Sequence, residues 1–462
     1  MKTTAATGGN VASFATTALP LVSVDSAPLW ARLQLGVSWN LASAVFTSAC
    51  NFGLTVAVAR IVGREQFGQF GMIQNTAVTL AGVAQLATGY TATKYVAEFR
   101  GSDKARTGRI IGVCSAVAGF TALIAALVLC LGAPWLAART LRAPELTTAL
   151  MLSSAFVCFA TMNGYQGGAL AGLESYAAMA KALMVASAAN LVLAIGGAVL
   201  WGVPGVLAGL GLGAAVQWLV FRRVLAAETA AHAIRISYRG GWTERTIILR
   251  FALPASLSGV VATMAAWGAN AVVARQPGGF DQLGLYNAAN SMRSLILFGP
   301  LLLNRVSMSL LNHERGRSHY DRYRSLFLAN LAMTTAMILA GVVVVGLGGP
   351  WLMRMFGKSF AAASPLLFVI LVAAALEGIL QAPYQIVQSH ERMWQALWLI
   401  AVPRDSCLLL LTVFLAPRYG AMGLAIAGAV ASGVSLLSIS GLAWQIGVEP
   451  IKRATLSGPT DD

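Results

Sequence analysis

Charge is what this sequence has least of. Only 11% of its 462 residues are Asp, Glu, Lys or Arg, and stretches of twenty or more pass without one. A water-soluble core of this size needs amphipathic helices with a charged outer face, so the scarcity excludes a soluble fold and leaves hydrocarbon as the solvent. Acids are scarcer than bases, 17 against 32, for a formal net charge of +15. The bases lie in short gaps between apolar runs rather than on a polar face, which excludes a nucleic-acid surface. In such gaps they act as topology signals and as contacts to anionic membrane lipids. Paired cysteines are missing too. Cys50, Cys114, Cys130, Cys158 and Cys407 fall singly inside apolar runs with no CxxC and no nearby histidine, so they read as small buried hydrophobes rather than metal ligands. No cofactor-binding motif is present.

What is there is apolar and periodic on the scale of a bilayer. A window of about 19 residues finds hydrophobic spans near 36–59, 69–93, 110–132, 146–170, 178–201, 204–221, 251–273, 284–312, 326–347, 364–389, 394–416 and 420–446. The expected fold class is therefore an all-α polytopic membrane protein of about twelve transmembrane helices. Trp201-Gly202-Val203-Pro204 divides the fifth and sixth spans as a hairpin. Lys2 and the Thr- and Ser-rich stretch Val11 to Val22 read as a flexible leader rather than a cleaved signal.

Sorting the bases by connection gives the orientation. One set holds Lys94, Arg100, Lys104, Arg106, Arg109, Lys181, the cluster from Arg222 to Arg250, Arg315, Arg317, Arg322, Arg324 and Arg392. The opposite set holds only Arg60, Arg64, Arg139, Arg142, Arg275, Arg354, Lys358 and Arg418. Both termini are expected to be cytoplasmic. The layout is then a leader over 1–35, a six-helix bundle over 36–221, a basic cytoplasmic linker over 222–250, a second six-helix bundle over 251–446 and a tail over 447–462.

The bundles echo each other. Ala59-Arg60 with Phe67-Gly68 returns as Ala274-Arg275 with Leu283-Gly284, Leu131-Gly132-Ala133-Pro134-Trp135-Leu136 as Leu347-Gly348-Gly349-Pro350-Trp351-Leu352, and Gly164-Tyr165-Gln166 as Pro383-Tyr384-Gln385. The echoes keep their order at 215 to 219 positions' separation. Six helices per half make the repeats parallel, enclosing a central cleft, an arrangement that suits alternating access.

A charge at mid-bilayer costs roughly 2.5–3.5 kcal/mol on insertion scales, so each needs a reason. Five fall inside spans, all in the second half: Arg293 and Arg305, Glu377, Arg404 and Asp405. Their net positive charge suits an anionic ligand. Glu377 and Arg404 sit near the middle of sequence-adjacent helices, where a static salt bridge is the structural alternative to a transport role. Arg404 and Asp405, about 100° apart on a helix, are not expected to pair with each other. Arg305 is near enough to the cytoplasmic end to snorkel. Arg293 forms a polar stripe with Asn290 and Asn304. The first half offers neutral groups: Asn40, Asn51, Gln74, Asn75, Gln85, Asn163, Tyr165, Gln166 and Asn190. These suit a hydroxyl-rich ligand such as a sugar, with interhelical glue as the alternative for each singly. Gly205, Gly209, Gly211 and Gly213 mark close helix packing.

Enzyme signatures are absent: no GxSxG, no HExxH and no Walker loop, and His232, His313, His319 and His390 all fall in cytoplasmic connections. No external loop exceeds about 15 residues, and Glu65, Glu145 and Asp281 are its only acids. That disfavours a membrane-embedded polymerase or ligase.

The stretch Ala59-Arg60-Ile61-Val62-Gly63-Arg64-Glu65-Gln66-Phe67-Gly68-Gln69-Phe70-Gly71, followed by Lys94-Tyr95-Val96-Ala97-Glu98-Phe99-Arg100, resembles the polysaccharide transporters of the O-antigen flippase type. Their superfamily also contains the lipid II flippases and the multidrug and toxin extrusion antiporters. The resemblance implies a lipid-linked oligosaccharide, on undecaprenyl pyrophosphate, moved from the cytoplasmic to the periplasmic leaflet of the inner membrane, with polymerase and export proteins of the same pathway as partners. The motif itself is placed in a loop, outside the transport path. Lipid II flippases carry charges on the first helix, whereas none lies between Arg32 and Arg60, and some relatives have two more helices than this chain has room for. An exopolysaccharide or O-antigen unit fits better than lipid II. A multidrug antiporter of the same superfamily is the competing expectation, and it would carry acids in the first half. On this reading Arg293, Arg404 and Arg305 contact the anion, Asn290, Asn304, Asn51, Gln85, Tyr165 and Tyr384 complete the substrate site, and Glu377 and Asp405 carry a coupling ion.

Overall fold

The computed structural model describes residues 29–85, 88–238, 253–316, 320–389 and 393–456. Among these every regular element is a helix: α1 (Leu29–Val62), α2 (Arg64–Ala84), α3 (Thr88–Phe99), α4 (Lys104–Trp135), α5 (Thr147–Gly172), α6 (Tyr176–Ala231), α7 (Leu253–Ala274), α8 (Gly279–Gly316), α9 (Tyr320–Phe356), α10 (Ser364–Ser389), α11 (Met393–Ala396) and α12 (Val402–Leu456). α2 and α3 together make one crossing. Short π segments extend α4 (Leu136–Leu141) and join α11 to α12 (Leu397–Ala401).

Among the described residues seven helical stretches are long and apolar enough to cross a bilayer by themselves, and two of them, of 56 and 49 residues, are double crossings. The fold-back points are Gly202 (φ 61, ψ −137) and Gly420 (φ 52, ψ −126). Only a residue without a Cβ takes that backbone shape cheaply, which is why a hairpin forms with almost no loop. With the more polar α2–α3 and α8, and with the apolar α7, the chain makes about twelve crossings. Helix ends overrun the hydrophobic windows: α1 begins at Leu29 rather than 36, and α6 continues to Ala231 rather than stopping at 221. A hydropathy window stops where charge begins, but a helix that projects into water past Arg222 and Arg223 need not unwind.

The repeat is visible in the backbone. Left-handed turns at Gly63, Arg142 and Gly202 recur at Gly278, Gly357 and Gly420, all at one end of the bundle. The echoed lipid-facing residues match in exposure, Leu131 at 78% with Leu347 at 83%, and Trp135 with Trp351 both at 66%. Tryptophans at that level belong to the membrane interface. Within the first half α6 packs on α1 and α5, with α4 also on α5; within the second α10 packs on α8, α9 and α12, and α7 on α12. The glycines of α6 make the close approaches expected of them, Gly205 against the backbone of Gly197 and Gly209 against that of Leu193.

Candidate functional site

The halves join at the end that carries the left-handed turns, and the join is built from the echoed motif. Gly68 of α2 lies against the backbone of Phe280 and Gly284 in α8, and Gly284 lies against the backbone of Arg64, so a Cβ at either position would collide. Arg64 pairs with Asp281 and donates to the Ser359 carbonyl at 3.3 Å, while Arg60 Nε donates to the Met355 carbonyl at 2.5 Å. Phe67 packs on Phe356 and Phe360 at centroid distances of 6.5 and 5.9 Å. Gln282 accepts from the amide of Ala421 at 2.7 Å, holding the second Gly hairpin to the seam. About 18 Å along α2 from Arg64, Trp267 Nε1 donates to Thr76 Oγ1 at 2.9 Å, again between halves. The motif expected to lie in a loop is therefore mostly helical, and its Phe67 and Gly68 close one end of the cleft.

Arg293, Glu377 and Arg404 sit at one depth, about 20 Å along their helices from the turns of that closed end. Arg293 Nε donates to Glu377 Oε2 at 2.7 Å, a second guanidinium nitrogen reaches the same oxygen, and Nη1 donates to Asn290 Oδ1 at 3.2 Å. Glu377 thus takes Arg293 as its partner, not Arg404. Tyr286, two turns before Arg293 on the same face of α8, is half-buried behind the pair. Arg404 instead grips its neighbour: Nε donates to Asp405 Oδ1 at 2.7 Å and Nη2 to Oδ2 at 3.1 Å. This corrects the expectation that successive residues stay apart, because a three-methylene stem ending in a planar fork reaches back around the helix to an adjacent carboxylate. Asp405 is the buried member, 6% exposed against 36% for Arg404. The pair follows a π turn in which Val402 N–H donates to the Leu397 carbonyl, just ahead of Pro403, which has no N–H to give.

The Arg293 stripe ends differently from its start. Asn304 is 8% exposed and tied into a network on the faces between α8, α9 and α10: it donates to Gln381 Oε1 at 2.8 Å and accepts from Gln385 Nε2 at 2.8 Å and Asn330 Nδ2 at 3.2 Å. Ser307 adds a bond to Asn330 Oδ1 at 2.7 Å. Asn304 therefore holds helices together. The side chain of Arg305 lies outside the described residues. Tyr384, two turns past Glu377, is half-buried on a small cluster with Leu380 and Val387.

In the first half Tyr165 is buried and accepts from Ser115 Oγ at 3.1 Å, and Asn163 Nδ2 donates to the Ala214 carbonyl at 3.1 Å. Gln85 reaches the Ala160 carbonyl at 3.5 Å while packing on Gly164. Asn51 is exposed. Gln166 Oε1 and Asn190 Oδ1 are buried with no hydrogen-bond partner. Among the described residues of α1 to α6 the carboxylates are Glu65, Glu98, Asp103, Glu145, Glu174 and Glu228, all at helix ends or connections. No three His, Cys, Asp or Glu converge as metal ligands among the described residues. The sequence alone did not point to Tyr286, Asn330 and Gln381. Tyr286 and Gln381 stand seven residues before Arg293 and four after Glu377, so helical spacing could have found them, whereas nothing in the spacing singles out Asn330.

Comparison with known proteins agrees with this architecture. No curated protein matches the sequence. An inward-facing multidrug resistance MATE transporter of the MOP superfamily superimposes with a TM-score of 0.69 at 17% identity, covering 89% of this chain and 99% of that one. The lipid II flippase MurJ in an inward closed conformation gives 0.71 at 14% identity, covering 92% and 93%. A MOP superfamily transporter from Pyrococcus furiosus, described by the reverse polarity of its binding pocket, gives 0.62 at 19% identity, covering 90% and 96%. At such identities these likenesses establish the fold. The model of the family described as polysaccharide biosynthesis protein matches residues 33–306, more than half the chain, from α1 well into α8. This multi-pass membrane protein with a MOP-type transporter fold belongs to the polysaccharide biosynthesis protein family.

Proposed function

We propose that the protein is a flippase that carries lipid-linked oligosaccharide repeat units, on undecaprenyl pyrophosphate, across the bacterial inner membrane for exopolysaccharide or O-antigen assembly. The observation that carries the reading is the Arg293–Glu377 pair. Both side chains are about a third exposed, 33% and 35%, at the middle of the bilayer's depth. Ionised groups that open to hydrocarbon are costly, so their exposed faces meet a water-filled cleft. A guanidinium in such a cleft is matched to the pyrophosphate of a lipid carrier, with Arg404 as the second contact and Arg305 as the third. The neutral groups of the first half, Asn51 and Gln85 among them, then meet the sugar, as Asn290 and Tyr384 do from the second.

Coupling follows from the pairing. A pyrophosphate competes with Glu377 for Arg293, and a proton or cation taken up by Glu377 or Asp405 lowers the attraction that holds each arginine. With both termini cytoplasmic, the glycine seam lies on the periplasmic side and this conformation is the one that loads from the cytoplasmic leaflet. The bundles at 36–221 and 251–446, linked through 222–250, rock about the substrate. The likeness to MATE transporters favours a cation antiporter as a second reading, but the first half's carboxylates all lie away from its middle. A transporter role also separates the protein from a polymerase or ligase.

The test is a strain lacking the protein, extracted for lipid-linked repeat units whose sidedness is read by labelling the sugar in spheroplasts. Single units held on the cytoplasmic face are expected. Units on the periplasmic face would mean that translocation proceeds without the protein and would move it to polymerisation or ligation.

A further inference from the structure

The amide network between α8, α9 and α10 has a direction, and one bond sets it. Gln385 Nε2 donates to the backbone carbonyl of Asn304 at 3.0 Å; a carbonyl can only accept, so this end of the Gln385 amide is its nitrogen. The same nitrogen lies 2.8 Å from the Asn304 side chain, which must turn its oxygen that way. Asn330 agrees, since its Nδ2 donates to that oxygen and to Gln385 Oε1, both at 3.2 Å, while its own oxygen accepts from Ser307. With its oxygen committed, Asn304 points its nitrogen at Gln381, and Gln381 answers with Oε1 at 2.8 Å. The other end of the Gln381 amide is therefore an NH2 group, a donor with nothing to accept.

Gln385 and Asn330 each spend their nitrogen on two protein oxygens, whereas Gln381, among the described residues, spends its nitrogen on none. Gln381 is half-buried, and its Nε2 is not among the buried polar atoms left without a partner. An amide donor turned to hydrocarbon is costly, so this free end opens on the same wet cleft that bares Glu377. Gln381 stands four residues past Glu377 on nearly the same face, about 6 Å further from the closed seam. Holding α10 to α8 needs only its oxygen; the fixed nitrogen is left over for a ligand oxygen. Resting on the reading of Arg293 as the contact to a lipid diphosphate, we propose that Gln381 is a second contact to that group, an N–H donor set in advance for the phosphate one helical turn beyond the one that Arg293 holds. Arg293 has to leave Glu377 to meet a phosphate, but no protein bond of Gln381 has to break. An uncharged donor at one turn's distance rewards a second linked phosphate, so Gln381 separates a diphosphate carrier from a monophosphate one.

The test uses the purified full-length protein in detergent, titrated with undecaprenyl diphosphate and undecaprenyl monophosphate, with bound lipid read by native mass spectrometry. Neither lipid carries a sugar, so a preference between them belongs to the phosphates. The wild type is expected to bind the diphosphate about tenfold or more tighter than the monophosphate. Gln381→Glu still accepts from Asn304 but puts an oxygen where the donor was, and it should bring the ratio to within about threefold of one. Asn304→Asp leaves Gln381 in place but can only accept, so the Gln381 amide turns its nitrogen inward and the ratio should again fall by about threefold or more. That second variant keeps the test readable where the first does not fold. Asn304→Ala, by contrast, lets either end of Gln381 face the cleft and should keep most of the preference. A wild-type ratio in either folded carboxylate variant, or equal binding of the two lipids by the wild type, would overturn the role of Gln381. If Arg293→Ala then loses both lipids, the phosphate reading of the cleft stands and only Gln381 falls. A wild type that binds neither lipid would overturn that reading and the proposal with it.

Discussion

In the first half Tyr165 meets Ser115 and Asn163 meets a carbonyl of α6; in the second Arg293 meets Glu377 and Arg404 meets Asp405. The backbones of the two halves repeat to the level of single left-handed turns, yet one half is neutral through the membrane and the other carries two ion pairs. The scaffold therefore does not dictate the chemistry of the cleft. Helix packing and hairpin turns are satisfied by small and apolar residues in both halves, and charge has been placed in only one.

The sharpest way to break that contrast is to remove the charge. Arg293→Ala is expected to lower glycan export by a hundredfold or more, an effect on the order of 3 kcal/mol, but it also strands Glu377. Arg293→Ala/Glu377→Gln removes the whole pair, and it should restore membrane protein level without restoring export. Normal surface glycan in the double variant would reduce the pair to a static bridge. Next in size is the seam, which both halves share. Gly68→Leu and Gly284→Leu should each cut export by about tenfold or more, since each side chain meets backbone across the join, while Gly119→Leu, with open space around it, should not. A large difference between the two seam variants would show that the halves are not mechanically equivalent. Asn304→Ala should lower thermal stability by about 1–3 kcal/mol through the network it leaves unpaired, with little change in substrate preference at matched protein level. Tyr165→Phe should be the mildest, removing one hydrogen bond worth about 0.5–1.5 kcal/mol and changing export by less than about threefold. A strong export defect in Tyr165→Phe would put the neutral half at the centre of recognition.

The helices were legible because lipid enforces a simple rule: about twenty apolar residues per crossing, with bases gathered in the gaps. The repeat was legible for the same reason, since Leu131 and Leu347 face the same solvent. The polar pairings were not. Glu377 was weighed as a static partner of Arg404, and only the crossing of α8 over α10 gives it to Arg293 instead. Asn304 looked like a continuation of the Arg293 stripe because three turns of helix bring it to nearly the same face. Whether that face meets water or Gln385 is set by how α9 closes over it, which Asn330 records and no local pattern announces.

In symmetry terms the seam is isologous: Gly68 and Gly284 are the same position of two copies, each facing the other's segment, as in the contact of a two-fold dimer. A true dimer of six-helix chains would be obliged to duplicate every change, so an arginine at mid-membrane would face its own twin across the axis. Fusing the copies into one chain lifts that obligation while keeping the shared contact surface. The asymmetry of charge between the halves is the freedom that fusion confers.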